Sequence, residues 1–533
     1  MPLGIEDVLD VLASLVDKSL VRSDESGGSQ RFWMLQTIRE YAAERLRAAP
    51  EIETATRHAH AVYFSAYAQG LRDQLQGPDR EHALEELESE IGNLRAAWRF
   101  WVRHADLEQL YLLLDGLWAL HDAKGWYHAA IELTRDMLEV LATADPSPEH
   151  AAEEMTLRTS LARALMAVWG YTPEVEEAFK RALELSDTEG SAAQRFPVLR
   201  ALASYYMNIA DFERGIGIGR ELLDLAEREG NESILIEGHF VFGSATAFTG
   251  DLQVGLPHLD RAIELFDPNT HGSGRYRLGT SPGVVARVAA GLIRWQSGAL
   301  DQAVASATEA LDLARELDHP FSLAYALYHN GFLDYNRGRF DQAREHAIEL
   351  AAVATENQYA VWQTLATVLE GIALSGLGHV EEGLTKTEAG VDLYRGLTTP
   401  PVFWPQILGL RGFVFGMAGQ PERGLALVDE AIESSGAQEL VSPEFRTQRG
   451  DLILLLPEPD GDAAADAYLA AIRGSRAGGL HLLELQAMTR LVELLRQQDR
   501  TPDGSDELRT LYESFTQGLG ERDLLAAKTV LGD

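Results

Sequence analysis

The sequence predicts an all-α fold, a right-handed superhelical solenoid of stacked helical hairpins, on three observations. A small-residue mark recurs about every 40 residues, as Ala210-Asp211-Phe212-Glu213-Arg214-Gly215, Gly250-Asp251-Leu252-Gln253-Val254-Gly255, Gly298-Ala299-Leu300-Asp301-Gln302-Ala303, Gly338-Arg339-Phe340-Asp341-Gln342-Ala343, Gly378-His379-Val380-Glu381-Glu382-Gly383 and Gly419-Gln420-Pro421-Glu422-Arg423-Gly424. The starts lie 40, 48, 40, 40 and 41 residues apart. A second small residue precedes each mark by seven positions, at Ala203, Gly243, Gly291, Gly331, Gly371 and Gly412. Between the marks the apolar residues keep helical spacing, as in Leu311, Leu313, Ala314 and Leu317. The leading glycine suits the left-handed residue that closes a helix, and the acidic residue three positions later favours the positive end of the next helix dipole. Small residues on both sides of the turn let two antiparallel helices cross closely. One such hairpin cannot bury its own apolar face, so neighbours must stack into one long core.

Each element follows from local signals. Residues 5 to 21 read as an amphipathic helix, the run Arg31-Phe32-Trp33-Met34-Leu35 as a strand of a small hairpin, and Thr37 to about Ala48 as a helix with Pro50 beyond it. This helix, hairpin, helix order over 1–50 resembles part of a winged helix. Residues 51–106 form a helical linker of two long helices broken near Gly77-Pro78-Asp79. The repeats span 107–520 as about ten hairpins, with early turns at Gly125-Trp126-Tyr127 and near Gly170 and a less regular phase through Gly450, Pro457 and Ala464. A final hairpin runs from Leu480 to Gln517, and 521–533 form a closing cap. The one long interval contains Asp267 to Pro282, a glycine- and proline-rich stretch expected to be a projecting, non-helical loop.

Composition narrows the functions. Lys+Arg 46 against Asp+Glu 82 gives a net charge of -36, which repels phosphate backbones and anionic membrane surfaces. The absence of cysteine removes disulfides, thiol nucleophiles and iron-sulfur ligation. No apolar run reaches the length of a membrane span, and a cytoplasmic protein is expected. Gly215-Ile216-Gly217-Ile218-Gly219 has the glycine spacing of a dinucleotide fingerprint but follows a helix instead of a strand, so helix packing explains it better. The pairs His58 with His60 and His121 with His128 lack the spacing of a metal site. With no nucleophile elbow or catalytic carboxylate pair singled out, the chain is expected to be non-catalytic, without metal or cofactor.

The small, small, acidic, small pattern resembles the tetratricopeptide repeat, stretched from its usual length of about 34 residues. The segments DVLASLVDKSLV, RFWMLQTIREYAAERL, RHAHAVYFSAYA and LESEIGNLRAAWRFWV resemble the junction between winged helix and repeat array in bacterial STAND-type signalling ATPases. Further on, LDRAIELFDPNTHGSGRYRLGTSPGVVARVAAGLIRW, ALDLARELDHPFSLAYALYHNGFLDYNRGRFDQA and EFRTQRGDLILL resemble the array of multidomain regulators that carry a nucleotide cyclase or DNA-binding domain. No Gly-Lys step of a phosphate-binding loop occurs, and the nucleotide-contacting Met-His-Asp triplet of related switches is replaced by Met34, Leu35 and Gln36. The resemblance therefore implies the sensing end of such a protein without its NTPase.

The candidate binding residues form a stripe. Tyr325, Tyr328, Phe332 and Tyr335 are spaced along one face of a repeat's first helix, with Asn336 adjacent and Trp295 at the matching point of the preceding repeat. Resemblance to tetratricopeptide proteins places them toward the concave groove, where rings can stack on a peptide or small molecule; packing between neighbouring helices is the plainer alternative. Arg275, Tyr276 and Arg277 in the long loop could supply anion-binding donors to the same groove. The leading expectation is a regulatory scaffold in signal transduction that binds a protein or peptide partner, an NTPase or cyclase domain included. The alternative is a sensor for a small-molecule inducer, as in related transcriptional regulators. Direct nucleic-acid and membrane binding are not expected.

Overall fold

The residues that punctuate the sequence adopt the backbone their chemistry favours. In the computed structural model Ala210, Gly250, Gly298, Gly338, Gly378 and Gly419 have φ between 60° and 96°, the left-handed region in which a glycine carries no steric penalty. Each ends one helix, and the next begins two residues later. The side chains of Asp211 and Asp251 cap the helices that follow by accepting from the backbone N–H groups of Arg214 and Val254, each at 3.2 Å. The second register marks the crossings: a β-carbon on Gly255 would lie 2.7 Å from the Gly243 carbonyl oxygen, one on Gly371 2.8 Å from that of Gly383, and one on Gly424 2.9 Å from that of Gly412. Only a missing side chain permits backbones this close.

The structure describes residues 5–532 apart from 27–28, 77–78, 125, 190–191, 272–279, 397–400, 437–439 and 501–503. The chain divides into two compact units, Met1–Asp145 and Pro146–Asp533. The first begins with α1 (Ile5–Asp17) and an antiparallel hairpin of β1 (Arg22–Ser26) and β2 (Ser29–Trp33), in which Arg22 faces Trp33 and Ser26 faces Ser29. The second strand starts and ends two residues earlier than the apolar run suggested, because Leu35 is already the N-cap position of α2 (Gln36–Arg47). Helices α3 (Pro50–Leu71), α4 (Arg80–Ser89), α5 (Ile91–His104), α6 (Leu107–Ala123) and α7 (Tyr127–Leu141) complete the unit. Trp101 Nε1 donates to Ser65 Oγ at 3.0 Å, tying α5 to α3 in its core. Helices α6 and α7 belong to this unit.

The second unit is an all-α repeat array. Hairpins α8 (Pro148–Trp169)/α9 (Pro173–Glu189), α10 (Ala192–Asn208)/α11 (Phe212–Glu229) and α12 (Glu232–Phe248)/α13 (Leu252–Leu265) lead to α14 (Pro268–His271), a single turn. Then come α15 (Pro282–Ser297)/α16 (Leu300–Glu316), α17 (Pro320–Asn336)/α18 (Phe340–Glu356), α19 (Ala360–Gly376)/α20 (Val380–Arg395) and α21 (Trp404–Met417)/α22 (Pro421–Ser435). The array ends with α23 (Ser442–Leu454)/α24 (Gly461–Gly478), α25 (His481–Gln497)/α26 (Ser505–Glu513) and α27 (Arg522–Leu531). The stretch expected to be a loop is partly helical, since Asp267 Oδ1 accepts from the Asn269 N–H at 2.9 Å and Pro268 suits a first helical turn. Residues 272–279, which include Arg275, Tyr276 and Arg277, lie outside the described residues.

The first helix of each hairpin packs on the first helix of the next, which makes them one layer: α15 touches α17, then α19, α21, α23 and α25 follow in turn. Helix α25 also touches α15, five hairpins back. These six helices close a ring.

A candidate ligand cavity inside the repeat ring

Aromatic rings fill one side of the ring's interior. Tyr328 and Phe332 are 3% and 9% exposed and Trp295 is 2% exposed, whereas Tyr325, Tyr335 and Asn336 are half-buried. Phe332 stacks on Tyr335 with centroids 5.9 Å apart, and Tyr335 meets the edge of Phe413 at 5.5 Å. The Tyr328 hydroxyl donates to Gln406 Oε1 at 3.0 Å, and its ring packs against Trp362 and Phe403. His329, between Tyr325 and Tyr328, is held neutral: burial lowers its pKa to about 3.

Between these rings and the later helices lies a cavity of about 270 Å³, next to a smaller chamber of about 100 Å³ that shares Trp295, Phe332, Asn336, Gln406 and Val441 with its lining. Its apolar wall is Trp295, Phe332, Tyr335, Leu410, Phe413 and Phe445. Its polar wall comes from α23, α25 and α27 and carries Glu444, Asp451, Arg490, Arg522 and Asp523. Arg490 Nε lies 3.2 Å from Asp451 Oδ1, which also accepts from the Tyr468 hydroxyl at 2.7 Å. Gln486 Nε2 donates to Asp523 Oδ2 at 2.8 Å. Glu444 differs from these: among the described residues no hydrogen bond or ion pair reaches its carboxylate. Burial pushes its pKa up to about 7, with Asp523 adding to the rise and Arg522 opposing it. Burial likewise raises Asp451, against the pull of Arg490, and raises the Tyr335 hydroxyl, with Glu444 contributing.

The tail of the chain turns back to close the ring. Arg337 Nη2 donates to Glu521 Oε1 at 2.7 Å, and Arg522 Nη2 donates to the Asn336 carbonyl oxygen at 3.0 Å. Gln517 Oε1 accepts from the N–H groups of Asp301 and Gln302 at 3.1 and 3.3 Å, at the start of α16. A β-carbon on Gly298 would lie 2.7 Å from Phe515, so that turn is fitted to the tail. Contacts thus join positions roughly 180 to 220 residues apart in sequence, and α27 presents Arg522, Asp523 and Ala526 to the cavity.

No family model matches the chain. Two curated relatives, from Mycobacterium tuberculosis strain H37Rv and Mycobacterium bovis, are named as candidate HTH-type transcriptional regulators and are 31% identical over 188 residues. The match covers 34% of this chain and spans about a fifth of the relatives' length, 21%. Three solved structures show a distant likeness. A STAND protein with a tetratricopeptide repeat sensor from Pyrococcus horikoshii has a TM-score of 0.39 at 13% identity over 80% of this chain and 58% of its own. A Rap protein complexed with competence and sporulation factor has a TM-score of 0.40 at 12% identity over 80% and 99%. Yeast Tom70 has a TM-score of 0.31 at 14% identity over 88% and 95%. Likeness at this level carries no functional inference.

Of the residues singled out from sequence, Trp295, Tyr328, Phe332, Tyr335 and Asn336 come together around the two chambers. Tyr325 lines neither and packs on His329 and Trp362. Sequence reasoning missed Phe413, the polar wall and the tail. The repeat register holds the signal for several of these: Phe332 and Phe413 each follow a register glycine, Gly331 and Gly412, and Asp451 follows Gly450 in the same way. Two motifs are structural. Gly219 makes room for the backbone of Phe242 within the dinucleotide-like run. Residues 279–283 do have the Gly-x-Ser-x-Gly spacing of a nucleophile elbow, but Ser281 is the N-cap residue of α15, and the described element next before it is the helical turn α14 instead of a strand.

Proposed function

We propose that this chain is the sensing module of a regulatory protein, whose repeat ring holds a small molecule and reports its presence to a partner domain. The observation that carries this reading is a cavity of about 270 Å³ lined by both aromatic and charged side chains. Binding sites for small ligands have this composition, an apolar lining with a few convergent polar groups. Of the two expectations raised by the sequence, the geometry supports the inducer sensor over the protein-binding groove. The inner helices close on one another through α15 and α25, and α27 contributes to the wall, which leaves a compartment better suited to a compact molecule than to an extended chain segment. The relatives named as transcriptional regulators fit a regulatory role, with output through a domain that this module controls.

The tail supplies a route for the signal. Arg522 and Asp523 line the cavity while the adjoining Glu521 holds the turn at Arg337 and Arg339, so a ligand touching α27 alters how firmly the ring is shut. Thermal-shift screening of the full chain against a metabolite panel tests the proposal. A true ligand raises the melting temperature, since it binds the folded state alone. Ala526→Trp, which puts an indole into the cavity, should abolish that rise without unfolding the chain. Ligands that stabilise Ala526→Trp as well as the parent would place binding elsewhere and defeat the proposal.

A further inference from the structure

Resting on the cavity reading above, the geometry points to a small organic cation as the ligand: an amine attached to an apolar or aromatic body, with Glu444 as its counter-ion. Three observations converge. The polar wall carries three carboxylates, Glu444, Asp451 and Asp523, against two guanidinium groups, Arg490 and Arg522. Both arginines are already engaged, Arg490 with Asp451 at 3.2 Å and Arg522 with the Asn336 carbonyl at 3.0 Å and Asp523 at 3.4 Å. An anionic ligand would have to break those contacts, whereas a cation meets a carboxylate with no partner among the described residues. Finally, Trp295, Phe332, Tyr335 and Phe413 line the same cavity, and aromatic ring faces are electronegative and attract a cation desolvated against them.

A half-buried carboxylate with no ion-pair partner is costly in its charged form, and Glu444 relieves that cost by holding its proton up to about pH 7. The groups that face it are Tyr335 on α17, Asp451 on its own helix, Arg490 on α25 and Arg522 and Asp523 on α27. A bound ammonium group, itself protonated well above neutral pH, favours the ionised carboxylate and expels that proton. Affinity for an amine therefore rises with pH up to and through about 7, being about tenfold higher at pH 8 than at pH 6 if Glu444 alone titrates.

The experiment uses the full chain and three matched probes, 2-phenylethylamine, 2-phenylethanol and 3-phenylpropanoate, in calorimetric titrations at pH 6, 7 and 8 in buffers of differing ionisation enthalpy. The expected result is that the amine binds most tightly, tightens about tenfold between pH 6 and 8, and releases up to one proton near neutrality. Glu444→Gln should erase both the pH dependence and the preference for the amine over the alcohol. The comparison among probes on the unaltered chain needs no variant, so it holds even if Glu444→Gln folds poorly. Equal or tighter binding of the alcohol or the carboxylate overturns the cation assignment while leaving the cavity reading in place. No binding of the amine in the millimolar range, or a pH dependence that survives in Glu444→Gln, also overturns it. Amine binding that is undiminished in Ala526→Trp would instead defeat the cavity reading.

Discussion

Leu9, Val11, Phe32, Trp33 and Leu35 are as apolar as Trp295, Tyr328 and Phe332, yet the first set stands exposed and the second is buried. Local helix formation does not separate them, because both regions hold well-formed helices. What differs is the supply of neighbours. Every hairpin in the array offers its inner helix to the hairpins before and after it, and the ring closes so that even α15 and α25 cover one another. Helix α2 buries none of its residues, and between 8 and 47 the only buried side chain among those described is Val21. A repeated unit supplies its own partner; a helix, hairpin, helix unit that occurs once does not. Stability should therefore respond steeply to change at the crossings of the array and weakly to change on the face of α1, β2 and α2.

The steepest response is expected where backbones touch. Gly255→Ala puts a methyl group 2.7 Å from the Gly243 carbonyl and 2.8 Å from Ala247. Its helices must separate, at a cost of about 2 to 3 kcal/mol, more than alanine's better helix propensity returns. Gly217→Ala, on an inner turn of α11 with nothing within 4 Å of the new methyl, should go the other way and stabilise by about 0.5 to 1 kcal/mol. Urea denaturation of both variants, followed by helical circular dichroism, measures the pair. Equal effects at the two glycines would mean that the crossings do not hold the array together.

A smaller loss is expected at the ring closure. Arg337 and Glu521 have side chains 9% and 12% exposed, so their pair is drier than a surface ion pair, but each has a second partner, Asp334 for the arginine and Arg339 for the glutamate. Arg337→Ala should cost about 1 to 2 kcal/mol. It should also speed amide exchange in α27 and residues 514–521 while leaving α8 to α13 unchanged, since the contact joins the tail to the middle of the array. Uniform acceleration throughout would show that the array unfolds as one unit and that the closure is not a separable element.

How far these features were legible in the sequence depended on whether they repeat. Left-handed residues at Gly250, Gly298 or Gly338, and the near contact of Gly371 with Gly383, follow from spacings visible in the chain, because each copy votes for the same geometry. The aromatic stripe was legible for the same reason, and its register extends to Phe413. Glu444, Arg490 and the tail contacts were not, because they depend on how many hairpins make one turn of the superhelix. Nothing local in α25 says that it will meet α15, or that Gln517 will cap a helix that starts at Leu300. The charged wall arises at the point where the periodic marks fade, after Gly424, so the part of the cavity with the most specific chemistry is also the part with the weakest sequence signal.

The smallest effect tests the other side of the comparison. If the apolar face of the first 47 residues contributes no core, then Leu9→Ser and Trp33→Ser should each change stability by no more than about 0.5 kcal/mol, against the several-fold larger loss at Gly255. Leu9 is 60% and Trp33 45% exposed, so serine there removes little buried area, and the cation contact of Arg22 over the Trp33 ring at 5.2 Å is a solvated one. A patch of this kind on a folded chain promotes self-association, so the double variant should stay monodisperse to higher concentration in analytical ultracentrifugation. A loss as large as the one at the glycine crossings would mean that the face is already buried in the isolated chain, and the contrast between a self-covering array and an uncovered leading segment would fall.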